Sequence, residues 1–143
     1  MGKKRSPSVV IVGCGRLGAL LAGELSREGA RVVVVDRLES SFALLDAGFS
    51  GFRVTGDAVE QRVLRQADLE RADCLMATTE KDTVNLMVAQ VAKTVFAVPR
   101  VLARVYDPAR EEMYRTLGVE TISPTRLSAG EFLRRFAGEE KRS

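Results

Sequence analysis

Short runs of β-branched and aliphatic residues alternate along this chain with stretches in which apolar residues recur every three or four positions. The first run, Val9-Val10-Ile11-Val12, predicts a buried strand. A helical pattern follows, with Leu17, Leu20, Leu21 and Leu25 at helical spacing and Gly29 as its stop. A second strand is expected over 31–35. A helix is expected over 38–47, with Phe42, Leu44 and Leu45 apolar and Gly48 as its stop. Residues 51–55 read as a third strand and Gly56-Asp57-Ala58 as a turn. A short helix over 59–67 turns Val63 and Leu64 inward. A fourth strand covers 74–77. The helix after it, 83–95, carries Val84, Met87, Val88, Val91 and Val95 on its predicted inner face. A fifth strand covers 101–105. Asp107 as N-cap and Pro108 at the first helical position open a helix that runs to Leu117 and stops at Gly118. A sixth strand over 119–122 ends at Ser123-Pro124, and a last helix spans 127–137. Strands alternating with helices predict an α/β domain: a three-layer Rossmann fold whose six-stranded, doubly wound parallel sheet has helices on both faces.

The length of 143 residues suits one domain. The expected organisation is a basic, disordered lead over 1–7, a nucleotide-binding domain over 8–123, a C-terminal crossover or interface helix over 124–138 and a charged tail over 139–143. Twenty-two Lys and Arg against nineteen Asp and Glu give a net charge of +3. Lys3-Lys4-Arg5 holds much of that excess and reads as a solvated terminus, so no nucleic-acid partner is expected. No apolar run approaches the roughly 18–20 residues that span a bilayer, and the first run is too short for a signal peptide. A cytoplasmic location is therefore expected. The two cysteines, Cys14 and Cys74, form no C-x-x-C and are expected to be reduced. The chain has no His, which removes the commonest general base and metal ligand, so no metal site is expected.

The chemistry concentrates after the first strand, in Gly13-Cys14-Gly15-Arg16-Leu17-Gly18. Gly13 permits the sharp turn, Gly15 lets a diphosphate approach the backbone, and Gly18 lets the helix lie close to the sheet. Unpaired amides at the helix start favour an anion. Asp36 lies 18 residues beyond Gly18 and closes the second strand, where a carboxylate accepts hydrogen bonds from ribose hydroxyls. A glycine turn with an exposed Asp is the plainer alternative.

With Gly56-Asp57-Ala58, Thr78-Thr79, Asp82 with Asn85-Leu86, Ala103-Arg104, and Leu117-Gly118-Val119 leading to Ile122-Ser123-Pro124, these residues resemble the N-terminal half of the RCK domains, also called KTN domains. Those are cytosolic regulatory parts of Trk and Ktr potassium-uptake systems, of some potassium channels and of some cation antiporters. The resemblance covers about residues 8–137. It implies that Gly13, Gly15, Arg16 and Gly18 hold phosphates and that Asp36 holds a ribose, with Cys14, Leu17 and Arg37 beside them among the cofactor-binding residues. Gly56, Asp57 and Ala58 would bracket the adenine, Thr78 and Thr79 would line the pocket, and Arg104 would reach the phosphates or the distal ribose. A solvated surface charge is the alternative for Arg16 and Arg104. NAD or NADH is the expected ligand because Asp36 would repel a 2′-phosphate. ATP or ADP is the alternative, with Arg16 engaging a terminal phosphate.

The resemblance further implies a regulatory subunit at the inner face of the membrane, whose partner is an integral-membrane cation transporter or channel subunit. No C-terminal RCK subdomain follows in this sequence, so a separate chain carrying one is a further candidate partner. Thr125 stands after Pro124 where ATP-binding relatives place a carboxylate that assists a divalent cation. On the last helix, Ala129, Phe132, Leu133 and Phe136 share a face. Either this strip packs on the chain's own sheet, or it joins a second copy in a homodimer, which the resemblance extends to an octameric ring. The competing function is the cofactor domain of an NAD-dependent oxidoreductase without its substrate domain. Against it, neither Tyr106 nor Tyr114 begins a Tyr-x-x-x-Lys pair.

Overall fold

Val9 to Val12 have apolar neighbours on both sides, and in the computed structural model, which describes residues 5–138, they occupy the middle of the sheet. Strand β1 (Ser8–Val12) pairs with β2 (Arg31–Asp36) on one side and β4 (Cys74–Ala77) on the other. Strand β3 (Phe52–Thr55) lies beyond β2, and β5 (Arg100–Arg104) and β6 (Glu120–Ile122) lie beyond β4. The order is β3-β2-β1-β4-β5-β6 and every pairing is parallel. This is the expected doubly wound sheet, with its switch point between β1 and β4.

Alternation along the strands divides the core in two. Val9, Ile11, Val32 and Val34 face α1 (Arg16–Arg27) and the segment with Phe42, Leu45 and Phe49. Val10, Val12, Val35 and Leu75 face α2 (Gln61–Gln66), α3 (Asp82–Thr94) and Tyr114 of α4 (Glu111–Thr116).

Several local expectations are corrected. Instead of a helix over 38–47, the chain makes a short 3-10 helix, Glu39–Leu44. Asp36 accepts the Leu38 amide and Asp46 the Gly48 amide, so side chains take backbone donors at both ends and little room is left for helical turns. The inner face of α1 consists of Gly18, Ala19, Ala22 and Gly23, while Leu20 is 60% exposed. Close helix–sheet approach selects the small residues for the innermost positions; Leu21 and Leu25 stay half-buried against the same core, and Leu20 is pushed out. In α3 the buried stripe is Asn85, Val88, Ala89 and Ala92, with Met87 and Val95 outside. Val88 is buried and Val84 and Val91 pack against the core as expected, but polar Asn85 takes a place on that face which apolar spacing does not show, and the face turns away from Met87 and Val95. Of the lead expected over 1–7, residues 1–4 lie outside the described residues. Arg5 pairs with Asp73 at 3.1 Å and the Pro7 carbonyl accepts the Arg31 amide at 2.8 Å, so the last part is fixed to the sheet. The tail over 139–143 also lies outside the described residues.

Helix α5 (Pro124–Phe136) buries none of its residues. Ser123 caps it by accepting the Arg126 amide at 3.1 Å, with Pro124 in the first turn. Leu127 and Leu133 are exposed, as are Phe132 at 77% and Phe136 at 91%, and Ala129 is exposed beside them. The strip does not pack on this chain's own sheet.

Candidate functional site

The carboxyl ends of β1, β2, β4 and β5 open into a cleft of about 860 Å³. In an open parallel sheet this is where a ligand lodges. Every predicted site residue except Gly18 lines it: Gly13, Cys14, Gly15, Arg16, Leu17, Asp36, Arg37, Gly56, Asp57, Ala58, Thr78, Thr79 and Arg104.

The glycine turn is built by the protein's own contacts. Gly13 has φ +108°, and a Cβ there would come within 2.9 Å of the Thr79 nitrogen. The Gly13 amide donates to the Val35 carbonyl at 2.8 Å. Thr78 is buried, and its hydroxyl lies 3.2 Å from the Val12 carbonyl and 3.1 Å from that of Gly13. It therefore fixes the turn against β4. Gly18 does not face the cleft; it sits beneath the turn, against the Gly13 carbonyl. At Gly15 a Cβ would meet nothing within 4 Å. Gly15 is also one of the residues that line the cleft, so the fold itself leaves room there.

Asp36 is tied into this framework more firmly than an exposed strand end would be. One of its oxygens accepts the Cys14 amide at 2.8 Å and the other the Leu38 amide at 2.9 Å. Each retains a lone pair for an incoming hydroxyl. Cys14 thus contributes no free amide; its side chain is fully buried against α1. Burial pushes the Cys14 thiol up, the Asp36 carboxylate adds to this, and Arg53 opposes it. The thiol stays protonated near neutrality and is poorly reactive. Asp36→Ala is expected to lower stability by about 1–3 kcal/mol, because it leaves the Cys14 amide without a partner. Thermal unfolding of the empty protein checks this; an unchanged midpoint would refute the anchoring role.

On the other side, buried Asn85 joins the ends of β4 and β5. Its oxygen accepts the Thr79 amide at 2.9 Å, and its amide nitrogen donates to the carbonyls of Thr79 and Arg104, each at 3.0 Å. Arg104 reaches back across this junction. Its guanidinium donates to the Thr78 carbonyl at 2.7 Å and lies 4.7 Å above the Tyr106 ring. Its Nε is buried and has no hydrogen-bond partner among the described residues. Arg16, Arg37, Lys81 and Arg104 line the cleft, and none forms an ion pair among the described residues. The acids at the rim are Asp36, engaged by backbone amides, Asp57, which accepts the Val59 amide at 3.1 Å, and Glu80. The arrangement suits an elongated ligand with anionic groups near the glycine turn and hydroxyls near Asp36.

Sequence reasoning missed Lys81, Val84 and Tyr106, which also line the cleft. Tyr106 follows the fifth strand directly and lies two residues beyond Arg104. Its place at a strand's carboxyl end was the available signal.

The TrkA-N domain family matches residues 9–124. The chain is 43% identical over 128 residues to the Trk system potassium uptake protein TrkA of Streptomyces coelicolor, covering 90% of this chain and 57% of the relative. It thus spans little more than half of that relative's length. Among solved structures, the GsuK channel bound to NAD superposes with a TM-score of 0.82 at 23% identity, covering 98% of this chain and 25% of that one. GsuK bound to ADP superposes with a TM-score of 0.71 at 20% identity, covering 89% and 34%. These structural likenesses carry the fold, and the sequence matches carry the kinship: the chain belongs to the TrkA-N domain family.

Proposed function

We propose that this chain is the nucleotide-sensing domain of a cytoplasmic regulatory subunit for potassium uptake, and that it binds NAD or NADH in the cleft between β1, β2 and β4. The observation that carries the reading is the open space at Gly15 in a cleft that Arg16, Arg37, Lys81 and Arg104 also line, none of them in an ion pair among the described residues, with Asp36 at the end of β2. Kinship with TrkA supports potassium transport as the setting, with an integral-membrane transporter or channel subunit as the partner. No helix among the described residues is long and apolar enough to cross a membrane, so on this reading the domain acts through that partner.

Asp36 favours a ribose with a free 2′-hydroxyl, since a 2′-phosphate would face a carboxylate. The neighbours solved with NAD and with ADP make ADP or ATP the alternative ligand, with Arg16 on the terminal phosphate. Calorimetric titration of NADH, NADPH, ADP and ATP tests the assignment. NADH is expected to bind at least about tenfold tighter than NADPH, a difference of about 1.4 kcal/mol. Equal affinity would remove Asp36 from the ribose site, and no binding of any of the four would overturn the sensing role.

Catalysis is not part of this reading. The chain has no His, and the Tyr114 hydroxyl is buried and donates to the Asp82 carbonyl. Tyr106 lies beneath Arg104. A dehydrogenase built on a His or Tyr proton donor would need that residue from elsewhere.

The exposed strip on α5 supports a homodimer, with Ala129, Phe132, Leu133 and Phe136 in the interface and a ring as the larger assembly. Phe132→Asp with Phe136→Asp is expected to give a folded monomer by light scattering. Its melting midpoint at low concentration should differ little from the parent's, because both side chains are exposed within one chain. A parent that is monomeric at high concentration would refute the dimer.

A further inference from the structure

Among the described residues helix α5 buries none of its positions, so its direction depends on contacts at its root. Beyond the Ser123 cap, two polar side-chain contacts hold it among the described residues. The Thr125 hydroxyl donates to the Tyr106 carbonyl at 3.1 Å, and Arg126 pairs with the buried Glu111 at 2.7 Å. Both reach the segment that leaves β5. Tyr106 in turn is held from α3: its amide donates to Asp82 at 2.8 Å, and the Asp107 amide donates to the other Asp82 oxygen at 3.1 Å. Tyr114 secures Asp82 from α4 by donating to its backbone carbonyl.

The same Tyr106 forms part of the cleft. Its ring carries the Arg104 guanidinium, whose remaining donors include a buried Nε with no hydrogen-bond partner among the described residues. An anionic ligand supplies the acceptor those donors lack, and the guanidinium must turn on the ring to meet it. The ring's backbone is fixed at its amide by Asp82 and at its carbonyl by Thr125, so a shift at the ring is passed to whichever contact yields first. Asp82 is buried and holds two amides. The single hydrogen bond to Thr125 is exposed.

We infer that Tyr106 and Thr125 couple the cleft to α5: Tyr106 positions Arg104 for the ligand, and the Tyr106 carbonyl with the Thr125 hydroxyl transmits ligand occupancy to the first turns of the helix. This rests on the nucleotide-binding reading and adds the route by which binding reaches the helix that carries the apolar strip. Coupling of this kind is reciprocal, so whatever stabilises one arrangement of α5 also changes ligand affinity.

Hydrogen exchange of α5 amides, measured on the full chain with and without saturating NADH, and again with ADP, tests it. Calorimetry on the same samples establishes occupancy. In the parent, the tighter-binding nucleotide is expected to change exchange over the first two turns of α5 by about fivefold or more, the lower end of ordinary coupling between sites. Thr125→Val keeps the side chain's shape, removes the donor and lies outside the cleft. It is expected to bind nucleotide with an affinity changed by no more than the coupling it removes, about fivefold, while the exchange of α5 becomes insensitive to it. Thr125→Ser restores the hydroxyl and should restore the response. Binding without any α5 response in the parent, or an undiminished response in Thr125→Val, overturns the coupling while leaving the binding site intact. Failure of the parent to bind either nucleotide overturns both.

Discussion

Gly15→Ala is expected to fold with an unchanged melting midpoint and to lose nucleotide binding by about a hundredfold or more, equivalent to roughly 3 kcal/mol. The two halves of this result have separate causes. A Cβ at Gly15 would touch no protein atom within 4 Å, and the residue sits at φ −85°, which any L-residue adopts. Nothing in the fold requires glycine at this position. The added methyl enters the cleft where the turn meets the start of α1, the place a diphosphate must approach to reach the helix-end amides. Circular dichroism and thermal unfolding check the first half, and calorimetry checks the second. A variant that binds like the parent would mean that the ligand does not cross the turn, and the site would have to be sought elsewhere along the cleft.

The parts of the fold that were legible in the sequence are those where one physical demand dominates. A central parallel strand is buried on both faces, so Val9 to Val12 could only read as an apolar run. The turn needs a left-handed residue, so Gly13 stands out. Sequence spacing alone placed Asp36 at the end of β2. Demands were misread where two compete. Residues 38–47 have helical apolar spacing, yet Asp36 and Asp46 take backbone amides at either end and leave only a 3-10 helix. In α3 the buried face includes Asn85, whose role is to hydrogen-bond three backbone groups at the ends of β4 and β5; apolar periodicity cannot detect such a residue.

The site was legible to the extent that its residues lie at strand ends, which topology brings together. What each side chain does there was less accessible. Asp36 reads as a ribose ligand, but the structure adds that both its oxygens already hold the glycine turn and the next loop. In the sequence Tyr106 shows only that it begins no Tyr-x-x-x-Lys pair. Its contact with Arg104 depends on the side chain folding back across β4, which no local pattern encodes. The strip on α5 presented two options in the sequence, and only the absence of any buried position on that helix, among the described residues, excludes the first.

Gly18→Ala is expected to behave in the opposite way to Gly15→Ala, although both glycines belong to the same short motif. A Cβ at Gly18 would lie 1.8 Å from the Gly13 carbonyl oxygen and 3.0 Å from the Thr78 hydroxyl. The first of these is backbone, held by the turn that the Gly13 amide and the Thr78 hydroxyl fix from two sides. No side chain can rotate away to make room. The helix must move off β1, and with it Ala19 and Ala22, which pack on Ile11 and Val34 in the same core. A loss of about 3 kcal/mol or more follows, the upper end for an overpacked site. In a domain of this size that lowers the melting midpoint by roughly 6–12 °C. Binding should weaken as well, because the displaced turn no longer presents the start of α1 to the cleft, but the loss of stability must appear in the empty protein. Denaturant unfolding of the two alanine variants side by side separates the roles: an unchanged midpoint for Gly18→Ala would show that α1 does not rest on the Gly13 carbonyl, and the packing assigned to this glycine would be wrong.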